Sequence, residues 1–106
     1  MEKIEHIGIA VRSLKDSNEM YTKLLGTAPY KTEAVPSEGV NTSFFKMGAS
    51  KIELLEATQD DSPIAKFLEK RGEGVHHIAY AVEDIRSEMK RLQGEGFHLL
   101  NEEPKK

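Results

Sequence analysis

The chain has 106 residues, 38% of them hydrophobic, which leaves room for one modest core and lies in the globular rather than the disordered range. Fifteen basic and eighteen acidic residues are interleaved for a net charge of -3, which excludes a polycationic surface for nucleic acid. The absence of cysteine excludes disulfides, thiolate zinc sites and cysteine nucleophiles, so any metal must be held by imidazole and oxygen.

The amino terminus, Met1-Glu2-Lys3-Ile4-Glu5, carries charge where a signal peptide needs an apolar stretch. No later run approaches the roughly 18 apolar residues of a membrane span. A cytoplasmic protein without a membrane or nucleic-acid partner is expected. The first strand signal covers 4–11, and Ser13 then caps a helix over 14–25 that stops at Gly26. Strands follow at 40–47 and 51–57, with Gly48-Ala49-Ser50 fitting a tight hairpin turn between them. The polar segment from Ala57 to Pro63 is too short to separate independent domains. Ser62-Pro63 gives an N-cap with proline at the first helical position, and Ile64, Phe67 and Leu68 share a face before Gly72. A strand at 76–82 precedes a helix at 84–94 that aligns Ile85, Met89 and Leu92, and a weaker strand signal occupies 97–101. Paired strands broken by helices predict an α+β sheet protein with its helices on one side.

Comparing the chain with itself exposes a duplication. His6-Ile7-Gly8-Ile9-Ala10-Val11 returns 71 residues later as His77-Ile78-Ala79-Tyr80-Ala81-Val82. Each copy runs on into a polar break and an amphipathic segment that aligns Leu14 with Ile85, so the repeat spans a strand and a helix. Strand side chains alternate, which puts His6, Gly8 and Ala10 on one face and His77, Ala79 and Ala81 on one face of the second copy. In both, a histidine stands among very small residues. Glu53 is a carboxylate inside the otherwise apolar run Ile52-Glu53-Leu54-Leu55, a setting that calls for a partner.

Two imidazoles and a carboxylate suit a borderline divalent ion such as zinc, cobalt, nickel or manganese, and are too nitrogen-rich for calcium. Spacings of 47 and 24 residues form no local motif, and a strand histidine is commonly a hydrogen-bonded structural residue, so both readings stay open on pattern alone. His76 has the opposite parity to His77 and is expected to face the core or a helix. His98 carries no motif. Gly72-Glu73-Gly74 and Gly94-Glu95-Gly96 lack any phosphate-loop context and mark helix ends.

His6 to Val11, Ile52-Glu53-Leu54-Leu55-Glu56, the run from Asp61-Ser62-Pro63 to Gly74-Val75-His76-His77-Ile78-Ala79, and Glu102-Glu103-Pro104 together resemble methylmalonyl-CoA epimerases of the vicinal oxygen chelate (glyoxalase/dioxygenase) superfamily. The resemblance covers essentially the whole chain. It implies a single 1–106 domain of paired βαβββ modules, with 1–57 as the first and 58–106 as a linking helix and partial second module. It implies His6, Glu53 (glutamine in some members) and His77 as ligands of a divalent metal ion: cobalt, zinc, manganese or nickel. It implies a coenzyme A thioester substrate, epimerised at C2 through a metal-stabilised enolate by two bases; a homodimer is expected because a second module short of two strands would expose a sheet edge and part of its apolar face.

The sequence departs from this pattern twice. A glycine-rich loop and two strands, the last bearing a fourth-ligand glutamate, are expected after Lys106, so the second module reads as incomplete and the active protein as longer or completed by another copy. The position matching one proposed base is Thr42, which has no carboxylate, and no catalytic base is assigned. The alternatives are a glyoxalase-like metal lyase and a non-catalytic small-ligand binding module of the same fold.

Overall fold

The computed structural model of the chain describes residues 3–96. The strand expected at 97–101, His98 and the Glu102-Glu103-Pro104 segment lie outside these residues. Residues 4–79 make one compact unit, and Lys3 with residues 80–96 belong to another.

In the larger unit, β1 (Lys3–Val11) leads into α1 (Leu14–Leu25), and β2 (Lys31–Val35), β3 (Val40–Met47) and β4 (Ser50–Ala57) follow as an antiparallel meander. Then come α2 (Pro63–Arg71) and β5 (Gly74–Ala81). Local chemistry sets the boundaries. The Ser13 hydroxyl accepts from the Asp16 N–H at 3.2 Å to open α1, and Gly26, left-handed at φ 74°, closes it. Ser62 opens α2 in the same way through the Ala65 N–H at 3.1 Å. At the β3–β4 hairpin Gly48 takes φ 61°, and among the described residues only glycines have positive φ, the pattern of a two-residue turn with glycine first.

The sheet order is β2-β3-β4-β1-β5. β1 returns beside β4 in parallel register, Gly8 opposite Glu53 and Ala10 opposite Leu55, so β1-α1-β2-β3-β4 makes one βαβββ unit. β5, the second copy of the repeat, lies next to β1, the first.

Two expectations are corrected. β2 was not expected: Lys31-Thr32-Glu33-Ala34-Val35 is mostly exposed and has no apolar alternation, and backbone pairing with β3 at the sheet edge holds it extended. Nor do the helices share one side of the sheet. Ala10, Val40 and Leu55 pack with Ile64, Phe67 and Leu68 of α2, whereas Val11, Phe45, Ile52 and Leu54 pack with Leu14, Tyr21 and Leu25 of α1. Ala10 and Val11 are adjacent in β1 and face opposite ways, so α1 and α2 cover opposite faces. The apolar stripes of the two helices were legible, but a stripe does not say which sheet face it meets.

In the smaller unit, α3 (Ile85–Gly94) begins at Asp84, whose carboxylate accepts from the Arg86 and Ser87 N–H groups at 3.1 and 3.2 Å. Arg91 closes on Glu88 at 2.8 Å one turn away.

Candidate metal centre

Strand alternation brings the His6, Gly8 and Ala10 side of β1 level with the Lys51, Glu53 and Leu55 side of β4. His6 and Glu53 are therefore diagonal neighbours on one face, and His6 Nδ1 lies 3.3 Å from Glu53 Oε2. His77 reaches the same place from β5, its Nε2 3.0 Å from His6 Nε2 and its ring edge-on to the His6 ring. One ligand atom from each of His6, Glu53 and His77 lies within 4.8 Å of the others, the grouping among the described residues that could hold a metal ion. The space in front of Gly8 has an occupant: a Cβ there would overlap the His77 ring, 2.6 Å from Nε2 and 2.7 Å from Nδ1. The small residues of β1 thus make room for the histidine of the second repeat.

The protons around these rings decide what they can bind. Glu5 Oε1 lies 2.7 Å from His6 Nδ1, and its other oxygen pairs with Lys51 Nζ at 3.0 Å. The hydrogen bond from His6, then that from Lys51, holds the Glu5 carboxyl below its usual range. A carboxylate only accepts, so His6 Nδ1 donates, and a neutral ring then presents a lone pair at Nε2. On the far side His77 Nδ1 is 3.0 Å from His76 Nδ1. Because His76 can accept or donate there, His77 can hold its proton on Nδ1 and present a second lone pair at Nε2. Two lone pairs 3.0 Å apart repel unless a proton or a cation lies between them. Adjacent ligands bound at about 2.1 Å to one ion are themselves roughly 3 Å apart, so the donor set fits a divalent ion.

Burial, followed by the mutual repulsion that protonated neighbouring imidazoles at His6 and His76 would add, lowers the His77 pKa and favours the neutral ring that a metal requires. Burial raises the Glu53 pKa, partly opposed by the electrostatic interaction with the neighbouring His6 imidazole. A buried carboxylate whose charge is disfavoured in the bare protein gains most from a cation beside it.

A family model described as the glyoxalase/bleomycin resistance protein/dioxygenase superfamily matches residues 5–106. An ethylmalonyl-CoA/methylmalonyl-CoA epimerase of Cereibacter sphaeroides is 39% identical over 105 residues, covering 97% of this chain and 78% of that protein. The chain belongs to the methylmalonyl-CoA epimerase family. A Streptomyces coelicolor methylmalonyl-CoA epimerase variant, solved in complex with 2-nitronate-propionyl-CoA, superposes with a TM-score of 0.86 at 36% identity over 99% of this chain and 77% of that one. A hypothetical protein from Bacillus halodurans superposes with a TM-score of 0.89 at 46% identity, over 96% of this chain and 74% of that one.

Within this family frame the remaining candidates sort by contact. Thr42 is 3% exposed on β3 opposite Leu55, and its neighbour on β2, Glu33, pairs with Lys31 at 2.8 Å. Glu56 accepts from the Leu14 N–H at 2.9 Å and so anchors the start of α1. His76 faces a helix as expected, edge-on to Phe67 of α2 with ring centroids 5.0 Å apart. That helix covers the metal-centre face, however, so parity does not remove His76 from the site. An apolar cavity of about 230 Å³ opens beside His76 and His77, walled by Val40, Leu55, Pro63 and Ile64, with Glu38 as its one carboxylate. Sequence reasoning missed Glu5 and Lys51, because alternation assigns Glu5 to the other face and a long side chain can reach around a strand end.

Proposed function

We propose that this chain interconverts the two C2 epimers of methylmalonyl-CoA, with His6, Glu53 and His77 holding a divalent metal ion. The observation that carries the reading is the convergence of these three side chains, with His6 Nε2 and His77 Nε2 3.0 Å apart, in a member of the epimerase family. In the reaction the C2–H bond breaks, its electrons pass into the thioester carbonyl, and a proton returns to the opposite face. A bound divalent cation supplies the positive charge that offsets the negative charge developing on the substrate oxygens.

The chain's own residues contribute orientation and dryness. Glu5 fixes the proton of His6 on Nδ1, and His76 can accept one from His77 Nδ1, a role outer hydrogen bonds commonly fill. The buried cluster of Ala10, Val40, Leu55 and Ile64 gives the α2 side of the site an apolar wall. Proton transfer needs an acid/base group on each face of the enolate, and Thr42 supplies no carboxylate.

The decisive assay is deuterium exchange at C2 of methylmalonyl-CoA with cobalt added. Exchange that His6→Ala and His77→Ala abolish is expected, and no exchange in the folded, metal-loaded chain would refute the activity. Buried Thr42 favours a second reading, a binding domain that takes the thioester without turning it over. Calorimetric binding of the thioester without exchange would select it. A homodimer is the accompanying proposal. Val75, Ile78 and Tyr80 are exposed on β5, the last strand in the sheet order, and light scattering that finds only monomers would sink it. No helix among the described residues is long and apolar enough to cross a membrane.

A further inference from the structure

The carboxylates around the metal centre leave it poor in positive charge for a reaction on an anionic substrate. We propose that Lys51 restores that charge, its ammonium group acting on the negative charge of the substrate during deprotonation at C2 as well as pairing with Glu5. This rests on the epimerase reading of the metal centre.

The sheet places Lys51 for this role. It lies directly across from His6 in the parallel β1–β4 ladder and two residues before Glu53, so its side chain leaves β4 on the face that carries both. Its Nζ is 3.0 Å from Glu5 Oε2, and the other oxygen of that carboxylate is 2.7 Å from His6 Nδ1. One carboxylate thus separates the ammonium from a ligand ring. Its charge is also felt at Glu53. The side chain is 39% exposed, which leaves the ammonium open to a molecule arriving from solvent. The lysines of β3 and β2 are less well placed. Lys46 stands one strand farther from His6, across from Lys51, and Lys31 is paired with Glu33 at 2.8 Å.

The charge balance shows why the ammonium is wanted. Neutral rings at His6 and His77, the form that binds an ion, add no charge. Glu5 and Glu53 together cancel the charge of a divalent ion. A malonyl thioester arrives with one carboxylate and takes on a second negative charge as the C2 proton leaves, which a centre of zero net charge does not attract. Lysine is an ammonium at neutral pH, so Lys51 leaves the centre positive. Glutamine in place of Glu53 would act on the same balance, because its amide keeps an oxygen ligand without the charge.

The test compares Lys51→Met and Lys51→Gln, two neutral replacements, with Lys51→Arg, which keeps the charge. Circular dichroism checks the fold, cobalt titration gives the metal affinity, and deuterium exchange at C2 of methylmalonyl-CoA gives kcat/KM. Both neutral variants should bind cobalt at least as tightly as the parent, because a like charge beside the ion is gone. Their kcat/KM should nevertheless fall about tenfold, the low end for a charged contact open to water. Lys51→Arg should keep most of the parent rate. In a Glu53→Gln background the loss caused by Lys51→Met should shrink to about threefold, since both changes act on one charge balance. Cobalt affinity that falls about tenfold in both neutral variants would mean that Lys51 acts only by holding Glu5 against His6, and would overturn the proposal. Exchange by the neutral variants equal to that of the parent would overturn it too, as would a loss that Lys51→Arg shares in full or that Glu53→Gln leaves undiminished. In each of these cases the epimerase reading stands. A metal-loaded parent that exchanges nothing refutes that reading, and the role of Lys51 with it.

Discussion

Replacing Glu5 tests the proton arrangement on which the metal centre depends. In Glu5→Ala the 2.7 Å hydrogen bond to His6 Nδ1 is lost, and Lys51 loses its 3.0 Å partner. The His6 ring is then free to turn or to place its proton on Nε2, where it would block the ligand lone pair. A hydrogen bond to a charged group contributes about 1.5–3 kcal/mol when well buried. The Glu5 side chain is 33% exposed, so solvent screening puts the effect at the low end, about 1.5 kcal/mol or roughly a tenfold weaker metal affinity. Glu5→Gln keeps an accepting oxygen without the charge and should lose less, about threefold. Cobalt titrations followed by visible absorption measure the affinities, and circular dichroism of the metal-free proteins checks that the fold is intact. Affinity of folded Glu5→Ala within a factor of two of the parent would refute the argument.

Gly8→Ala places a methyl group in the His77 ring. It should cost about 1–3 kcal/mol of stability and weaken cobalt binding more than Glu5→Ala does, read by thermal unfolding and the same titration. Ser62→Ala removes the α2 cap and should lower stability by about 1 kcal/mol in urea unfolding, with α1 unaffected. Phe45→Ala empties a fully buried site between β3 and α1, and should cost about 3–5 kcal/mol, read in the same assay. Glu53→Gln should stabilise the metal-free protein near neutral pH. The folded-state pKa of Glu53 is raised by burial, so the parent loses stability as pH climbs from the ordinary carboxylate value to that raised value. The advantage of the neutral isostere should thus be complete above the raised pKa and vanish below about pH 4; a difference in melting temperature that does not change with pH would contradict it.

What was legible in the sequence was what two-residue and 3.6-residue periods encode. Ser13 and Gly26 bound α1 at the residues expected, Ser62 and Gly72 do so for α2, and the alternation in β1 put His6 and Gly8 on one face. The repeat carried the argument further, since two copies of one strand now lie side by side and their histidines meet at 3.0 Å. Period says nothing about which sheet face a helix will cover, so α1 and α2 were wrongly placed together. Nor does it reach an edge strand such as β2, stabilised by backbone pairing and not by an apolar face. The least legible layer was the one around the candidate ligands. Glu5 and His76 fall on the wrong parity for the site, yet each places an atom 2.7–3.0 Å from a ligand ring, because a long side chain or a ring on a twisted edge strand is not confined to one face. Parity therefore finds residues that could bind an ion directly, and misses residues whose hydrogen bonds bear on whether those candidate ligands present a lone pair or a proton. A variant set drawn from the repeat alone, confined to His6 and His77, would test the presence of a metal and leave untested the proton arrangement that lets it bind.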